Sequence, residues 1–165
     1  MTAVKILNSF NANELKDAYY EIEDKLDWYY AGTQGKQCCL QTRPDMPLWL
    51  DGCGKTDNQP DITVYDFLNP LLTGTIWEQL IKEHKMFRTR FMWMNPKSCY
   101  SVHMDSTPRI HLPIITNPEA QFYFRPGGFV YLMPSIAYWV DTRANHSFVN
   151  FSDEYRLHLV GCVLE

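Results

Sequence analysis

YSVHMDSTPRIHLPI (100–114) and NHSFVNFSDEYRLHL (145–159) are the two stretches from which the fold is read. Both alternate. In a strand, side chains at i and i+2 point to one face and their neighbours to the other. Arg109 and His111 therefore share a face, opposed to Ile110, Leu112 and Ile114. Arg156 and His158 share a face, opposed to Tyr155, Leu157 and Leu159. Taken alone, each R-x-H face reads equally as the solvent side of an ordinary strand. If the apolar faces pack outward on helices or a second sheet, the R-x-H faces line a barrel interior, where a guanidinium requires an anion.

The same period of two runs on either side of these stretches. From Phe87 onward, FRTRFMWMN, PKSCYSVHMD, RIHLPIIT, AQFYFR, GFVYLMP, IAYWVD, HSFVNFS and EYRLHLVGCVLE follow one another, separated by Pro, Gly, Asn, Asp and Ser. Short alternating segments at this spacing predict an antiparallel sandwich or barrel. Before Phe87 the periodicity differs. Residues 3–7 suit a short strand. Asn11 or Asn13 offers an N-cap, and Leu15, Ala18, Tyr19, Ile22 and Leu26 recur at helical spacing. Residues 61–85 read as two helical pieces broken near Asn69-Pro70 and Gly74. The segment 32–61 is rich in Gly, Pro, Asp, Gln and Thr. It reads equally as a solvated connector carrying a strand or two and as a lid over a site. Lys55 after Gly52-Cys53-Gly54 lacks the Walker pattern of a phosphate loop. The expectation is a mainly β single domain over 1–165, with a helical support over about 1–86 and a β-barrel core over about 87–165.

Composition sets limits on function. The chain has 165 residues, 45% of them hydrophobic and 15% aromatic, enough for a real core without covalent staples. A formal net charge of −4 argues against broad binding to nucleic acid or to an anionic membrane. The five cysteines are odd in number and contain no C-x-x-C pair, so reduced thiols are expected. No apolar run resembles a signal peptide or a membrane span, and the expected location is cytoplasmic.

His103 and Asp105 stand two residues apart and project together if extended. His supplies a neutral nitrogen and Asp a hard anionic oxygen. His146, from a later β-like segment, would complete a two-His-one-carboxylate face that leaves positions open for non-haem Fe(II). Arg156 follows His146 by ten residues, and its planar fork suits a carboxylate. Among weaker signals, Asn145 and Asn150 flank the last ligand and are either positioning groups or turn residues. His158 reads as a core or surface histidine, His84 as exposed, and Arg125 as capping a turn. Trp93, Tyr123, Tyr138 and Trp139 are either core or pocket wall.

This set resembles the Fe(II)- and 2-oxoglutarate-dependent dioxygenase superfamily, with its H-x-D…H triad and trailing Arg. More narrowly, Phe91–Lys97, His103, RIHLPI from Arg109 and HSFVNFSDEYRLHLV from His146 resemble the aspartyl/asparaginyl β-hydroxylase family, over roughly the C-terminal half. The resemblance implies a double-stranded β-helix of the cupin or jelly-roll kind, with supporting N-terminal α-helices. It implies His103, Asp105 and His146 as iron ligands and catalytic centre. It implies Arg156 at the distal carboxylate of 2-oxoglutarate, with Arg109 and His111 helping to hold that cosubstrate, and dioxygen as co-reactant. Some family members lack the acidic ligand, which Asp105 supplies here. Some place a serine near the position of Met92, and a thioether cannot donate that hydrogen bond. The implied activity is hydroxylation of an unactivated C–H bond in an aspartyl/asparaginyl-type or other small-molecule or peptide substrate. A cupin-type metalloenzyme without 2-oxoglutarate, and a non-catalytic cupin-like binding module, are the alternatives.

Overall fold

The computed structural model describes residues 3–46, 48–54 and 61–165. In chain order the elements are β1 (Val4–Ser9), α1 (Ala12–Tyr20), β2 (Tyr29–Tyr30), β3 (Gly35–Cys39), β4 (Gln41–Thr42), β5 (Phe67–Leu68) and α2 (Ile76–Glu83). Eight strands follow: β6 (Phe87–Met94), β7 (Ser98–Cys99), β8 (Arg109–Ile115), β9 (Ala120–Phe124), β10 (Gly128–Tyr131), β11 (Ile136–Val140), β12 (His146–Asn150) and β13 (Arg156–Cys162). They fall in the eight segments marked out by the alternation. A seven-stranded sheet runs β1-β11-β8-β13-β6-β3-β2, and a four-stranded sheet runs β10-β9-β12-β7. The described strand pairings of both are antiparallel. The protein is mainly β, in the double-stranded β-helix (jelly-roll) arrangement expected.

The outer face of the large sheet is apolar because its strands alternate. Phe91 of β6, Ile110, Leu112 and Ile114 of β8, and Leu157 and Leu159 of β13 pack on Leu15 and Tyr19 of α1 and on Trp77, Leu80 and Ile81 of α2. Edge-to-face contacts seat Phe91 between Trp77 (5.0 Å) and Tyr19 (5.2 Å). The indole nitrogens are also satisfied: Trp77 Nε1 donates to the Ala18 carbonyl and Trp93 Nε1 to the Tyr19 hydroxyl. Trp93 thus belongs to this outer layer. A second apolar cluster, including Met94, Phe122, Phe124, Leu132, Tyr138 and Phe148, fills part of the space between the two sheets.

The region before residue 87 is more than a helical support. β1 extends one edge of the large sheet by pairing with β11, and β3 extends the other by pairing with β6. α1 starts where expected, with the Asn11 side chain accepting from the Asn13 and Glu14 amides. It stops at Tyr20, before the periodicity does. A 3₁₀ turn over 23–25 then keeps Ile22 and Leu26 against the core. Of the two helical pieces expected over 61–85, only the second is α. The first is a pair of 3₁₀ turns around β5, with Pro70 opening the latter turn. Segment 32–61 supplies β3 and β4. Lys55 and the rest of 55–60 lie outside the described residues.

Candidate active site

Three side chains from separate parts of the sequence converge. His103 sits in the link between β7 and β8, and His146 opens β12. Their backbones form a mutual pair, each amide donating to the other's carbonyl at 2.9 Å. Their rings stand 4.4 Å apart, centroid to centroid. Asp105 is fixed by its amide, which donates to the Thr142 carbonyl. It is not in a regular strand, yet the extended His103–Asp105 step puts both side chains on one side, as the i, i+2 argument requires. The Asp105 Oδ1 lies 3.9 Å from His103 Nε2, and Oδ2 lies 3.5 Å from His146 Nε2. One ligand atom from each residue falls within 4.8 Å of the others.

The residues fit a divalent metal. His103 Nδ1 faces the Ser101 carbonyl at 2.7 Å, and His146 Nδ1 faces the Ala144 carbonyl at 3.0 Å. A carbonyl only accepts, so each ring carries its proton on Nδ1 and turns the Nε2 lone pair inward. Burial, foremost, lowers the His146 imidazole below its ordinary value, which keeps it neutral as a ligand must be. Arg109 Nη2 binds Asp105 Oδ1 at 2.5 Å, while buried Oδ2 has no partner among the described residues. Arg109 therefore orients the carboxylate and leaves one oxygen for a cation.

Arg156 opens β13, is 2% exposed, and lies in the wall of a cavity of about 830 Å³. Its guanidinium stacks on Phe148 at 3.8 Å, and Nη1 reaches the Met92 carbonyl at 3.4 Å. Its Nε has no partner, and no carboxylate pairs with it among the described residues. Burial pulls this guanidinium down to about 9. A buried charge so poorly matched within the chain fits an incoming anion. Met92 meets Arg156 through its backbone carbonyl, a contact that asks nothing of its side chain. His111 also lines the cavity, with both ring nitrogens unpartnered among the described residues. The structure thus brings His103, Asp105, His146, Arg109, His111 and Arg156 to one cavity.

The weaker signals resolve differently. Asn150 is fully buried and donates to the Asn95 and Glu154 carbonyls, which ties the β12–β13 turn and leaves His146 untouched. His158 is neither at the surface nor satisfied: it is fully buried beside Phe148, and neither nitrogen has a partner among the described residues. His84 is half-buried at the end of α2. Trp139 carries Lys5 over its ring and packs with the outer cluster, while Tyr138 joins the inner one. The aromatic residues that line the cavity are instead Tyr29, Tyr100, Phe122 and Phe148. Reading from sequence also passed over Arg88, Arg90 and Gln37, which line the cavity too. The alternation of FRTRFMWM held the signal, since Arg88 and Arg90 share parity with Met92, opposite Phe91 and Trp93.

A jelly-roll with two histidines, one carboxylate and a deeper arginine defines a class of architecture, and comparison with solved structures bears on the same point. A 2OG-Fe(II) oxygenase family oxidoreductase from Burkholderia pseudomallei is similar at a TM-score of 0.65 and 12% identity, covering 97% of this chain and 83% of that one. HygX from Streptomyces hygroscopicus, solved with nickel, 2-oxoglutarate and hygromycin B bound, is similar at 0.59 and 9%, covering 97% and 82%. The viral collagen prolyl hydroxylase of Paramecium Bursaria Chlorella virus-1, in its 2OG complex, is similar at 0.54 and 9%, covering 98% and 97%. At these identities the likeness is one of fold. No protein-family model and no curated protein matches the chain. No helix among the described residues is long and apolar enough to cross a membrane.

Proposed function

We propose that this protein is an Fe(II)- and 2-oxoglutarate-dependent oxygenase that hydroxylates an unactivated C–H bond of a small substrate. One observation carries the reading: His103, Asp105 and His146 offer three inward donor atoms at one end of a cavity that also holds the buried, unpaired Arg156. His103 Nε2, His146 Nε2 and Asp105 Oδ2 would hold the metal. The Ser101 and Ala144 carbonyls fix the two ring tautomers, and Arg109 fixes the carboxylate. Arg156 would receive the distal carboxylate of 2-oxoglutarate, and this separates the reading from a metalloenzyme that dispenses with that cosubstrate. Phe122 and Phe148 keep the wall between them apolar and exclude water. When bound, the ferrous ion with 2-oxoglutarate and dioxygen supplies the oxidising chemistry, which yields succinate, carbon dioxide and a hydroxylated product. Within this class, the resemblance carried by Phe91–Lys97, His103, Arg109–Ile114 and His146–Val160 is the ground for proposing an aspartyl/asparaginyl β-hydroxylase-like enzyme.

Anaerobic titration tests the proposal. Metal-free protein given Fe(II) and then 2-oxoglutarate is expected to bind one of each per chain. A weak visible charge-transfer band should develop with the second addition. Stoichiometric iron binding with no band and no 2-oxoglutarate affinity would leave a metal site of a different enzyme. Absence of iron binding altogether would remove the reading.

A further inference from the structure

The cavity holds more positive charge than the proposed cosubstrate answers. Four guanidinium groups line it, those of Arg88, Arg90, Arg109 and Arg156, and among the described lining residues the single carboxylate is Asp105. Arg109 is paired with Asp105. Arg156 is given to the 2-oxo acid. Arg88 is held by chain carbonyls, Nε donating to Gly52 at 2.9 Å and Nη2 to Gly54 at 2.7 Å. Arg90 is left. It is 2% exposed, and Nη1 donates to Gln37 Oε1 at 3.1 Å. Its Nε and Nη2 are buried with no partner among the described residues.

Those two atoms are the parallel donors of the guanidinium's side-on fork, and this chain shows what the fork binds. Arg43 uses Nε and Nη2 to grip both oxygens of Asp51, at 2.8 and 2.7 Å. Arg143 does the same to Asp141, at 2.7 and 3.1 Å. Arg90 lines the cavity, and the same two fork atoms are buried with no partner among the described residues. A desolvated guanidinium costs several kcal/mol unless an anion joins it. Its neighbour feels that charge: burial first, then Arg90, hold Arg88 down to about 10.

Strand register separates this fork from the cosubstrate arginine. Arg90 pairs across with Val160, whereas Arg156 pairs with Met94. Four residues of strand lie between those levels, about 13 Å at the usual rise. On its other side Val160 pairs with His111, and Cys162 with Arg109, the partner of Asp105. Arg90 therefore stands nearer than Arg156 to the level of Arg109 and the metal-binding candidates, and apart from the arginine given to the distal carboxylate.

We propose that the Nε/Nη2 fork of Arg90, braced by Gln37, is the subsite for a carboxylate of the organic substrate, which is thus a small carboxylic acid. This rests on the oxygenase reading of the same cavity. The binding step is a bidentate ion pair that no neutral amide can reproduce. Arg90 is a specificity residue, and the 2-oxo acid does not depend on it.

The test uses protein loaded with Mn(II) and 2-oxoglutarate under argon. Small carboxylic acids, each matched with its primary amide, are screened by saturation-transfer NMR. Wild type is expected to favour the acid of at least one pair by tenfold or more. Arg90→Met should abolish that preference, and Arg90→Lys, which keeps charge without the fork, should weaken it. In both variants the 2-oxoglutarate affinity should stay within about twofold of wild type. Thermal melts add an independent readout: Arg90→Met should melt no lower than wild type if the fork is empty, and several degrees lower if the guanidinium is merely structural. Equal binding of acids and amides by wild type, or acid preference that survives in Arg90→Met, overturns the inference. Loss of 2-oxoglutarate affinity in Arg90→Met overturns it too, by assigning the fork to the cosubstrate. Failure of wild type to bind 2-oxoglutarate sinks the oxygenase reading instead, and the acid-against-amide comparison can still be made on the metal-free protein.

Discussion

Arg156 is a buried cation resting on the Phe148 ring and one long carbonyl contact. Such a group is costly until a ligand pairs with it. Replacing it with alanine should weaken 2-oxoglutarate binding by about 3 kcal/mol, roughly a hundredfold in Kd, with one metal ion per chain still bound. An unchanged Kd would move the cosubstrate to another arginine. His146→Ala should do the reverse and abolish stoichiometric metal binding, because it removes the most buried of the three donors. At this scale the chemistry of each ligand was legible from residue type. Which ring nitrogen points inward was not, since the Ser101 and Ala144 carbonyls decide it through backbone geometry.

β13 shows what alternation can and cannot tell. It lies between β8 and β6, with Leu157 and Leu159 against the helices and Arg156 and His158 facing inward. Which residues share a face follows from a period of two; that the Arg156 and His158 face turns inward does not. The pairing partners were not readable, and they decide that Arg90 stands level with Val160. β3 is a further case. Gly35 adopts φ +152, and a Cβ there would fall on the Trp93 carbonyl oxygen of β6. Gly35→Ala should therefore cost about 2–4 kcal/mol, read as a lower denaturation midpoint in urea. A midpoint equal to wild type would mean that β3 pairs less closely than it does here. The composition of 32–61 read equally as a connector carrying a strand or two and as a lid; close strand approach is the reason for this glycine.

Across the whole molecule, charge is segregated. The chain is acidic, at −4, yet its cavity is lined by four arginines and a single described carboxylate. His111 and His158 share that interior, and burial, foremost, holds both well below the ordinary imidazole value. Their folded-state affinities for protons are depressed, so below about pH 6.5 the unfolded chain takes up protons that the folded chain refuses. Stability is then full above that pH and is lost as pH falls. The loss reaches about 1.4 kcal/mol per pH unit for each histidine. Urea midpoints of metal-free protein should be level from pH 8 to 7 and fall steadily from 6.5 to 5. His158→Gln should make the fall about half as steep, since His111 remains. A level profile down to pH 5 would show that these imidazoles accept protons inside the fold.

By itself the sequence determined the β class, the eight-strand core, which residues share a strand face and the types of the candidate metal-binding side chains. Local spacing carries all of these, because the two-residue repeat of a strand and the chemistry of His, Asp and Arg hold before the chain is closed. Only the tertiary structure decided that β1 and β3 would extend the two edges of the large sheet, that Arg109 would brace Asp105, and that the Arg90 Nε and Nη2 would be buried without a partner among the described residues. Those outcomes depend on which strands lie side by side and in what register. Register is set by long-range packing of the two sheets, and no local stretch of sequence records it.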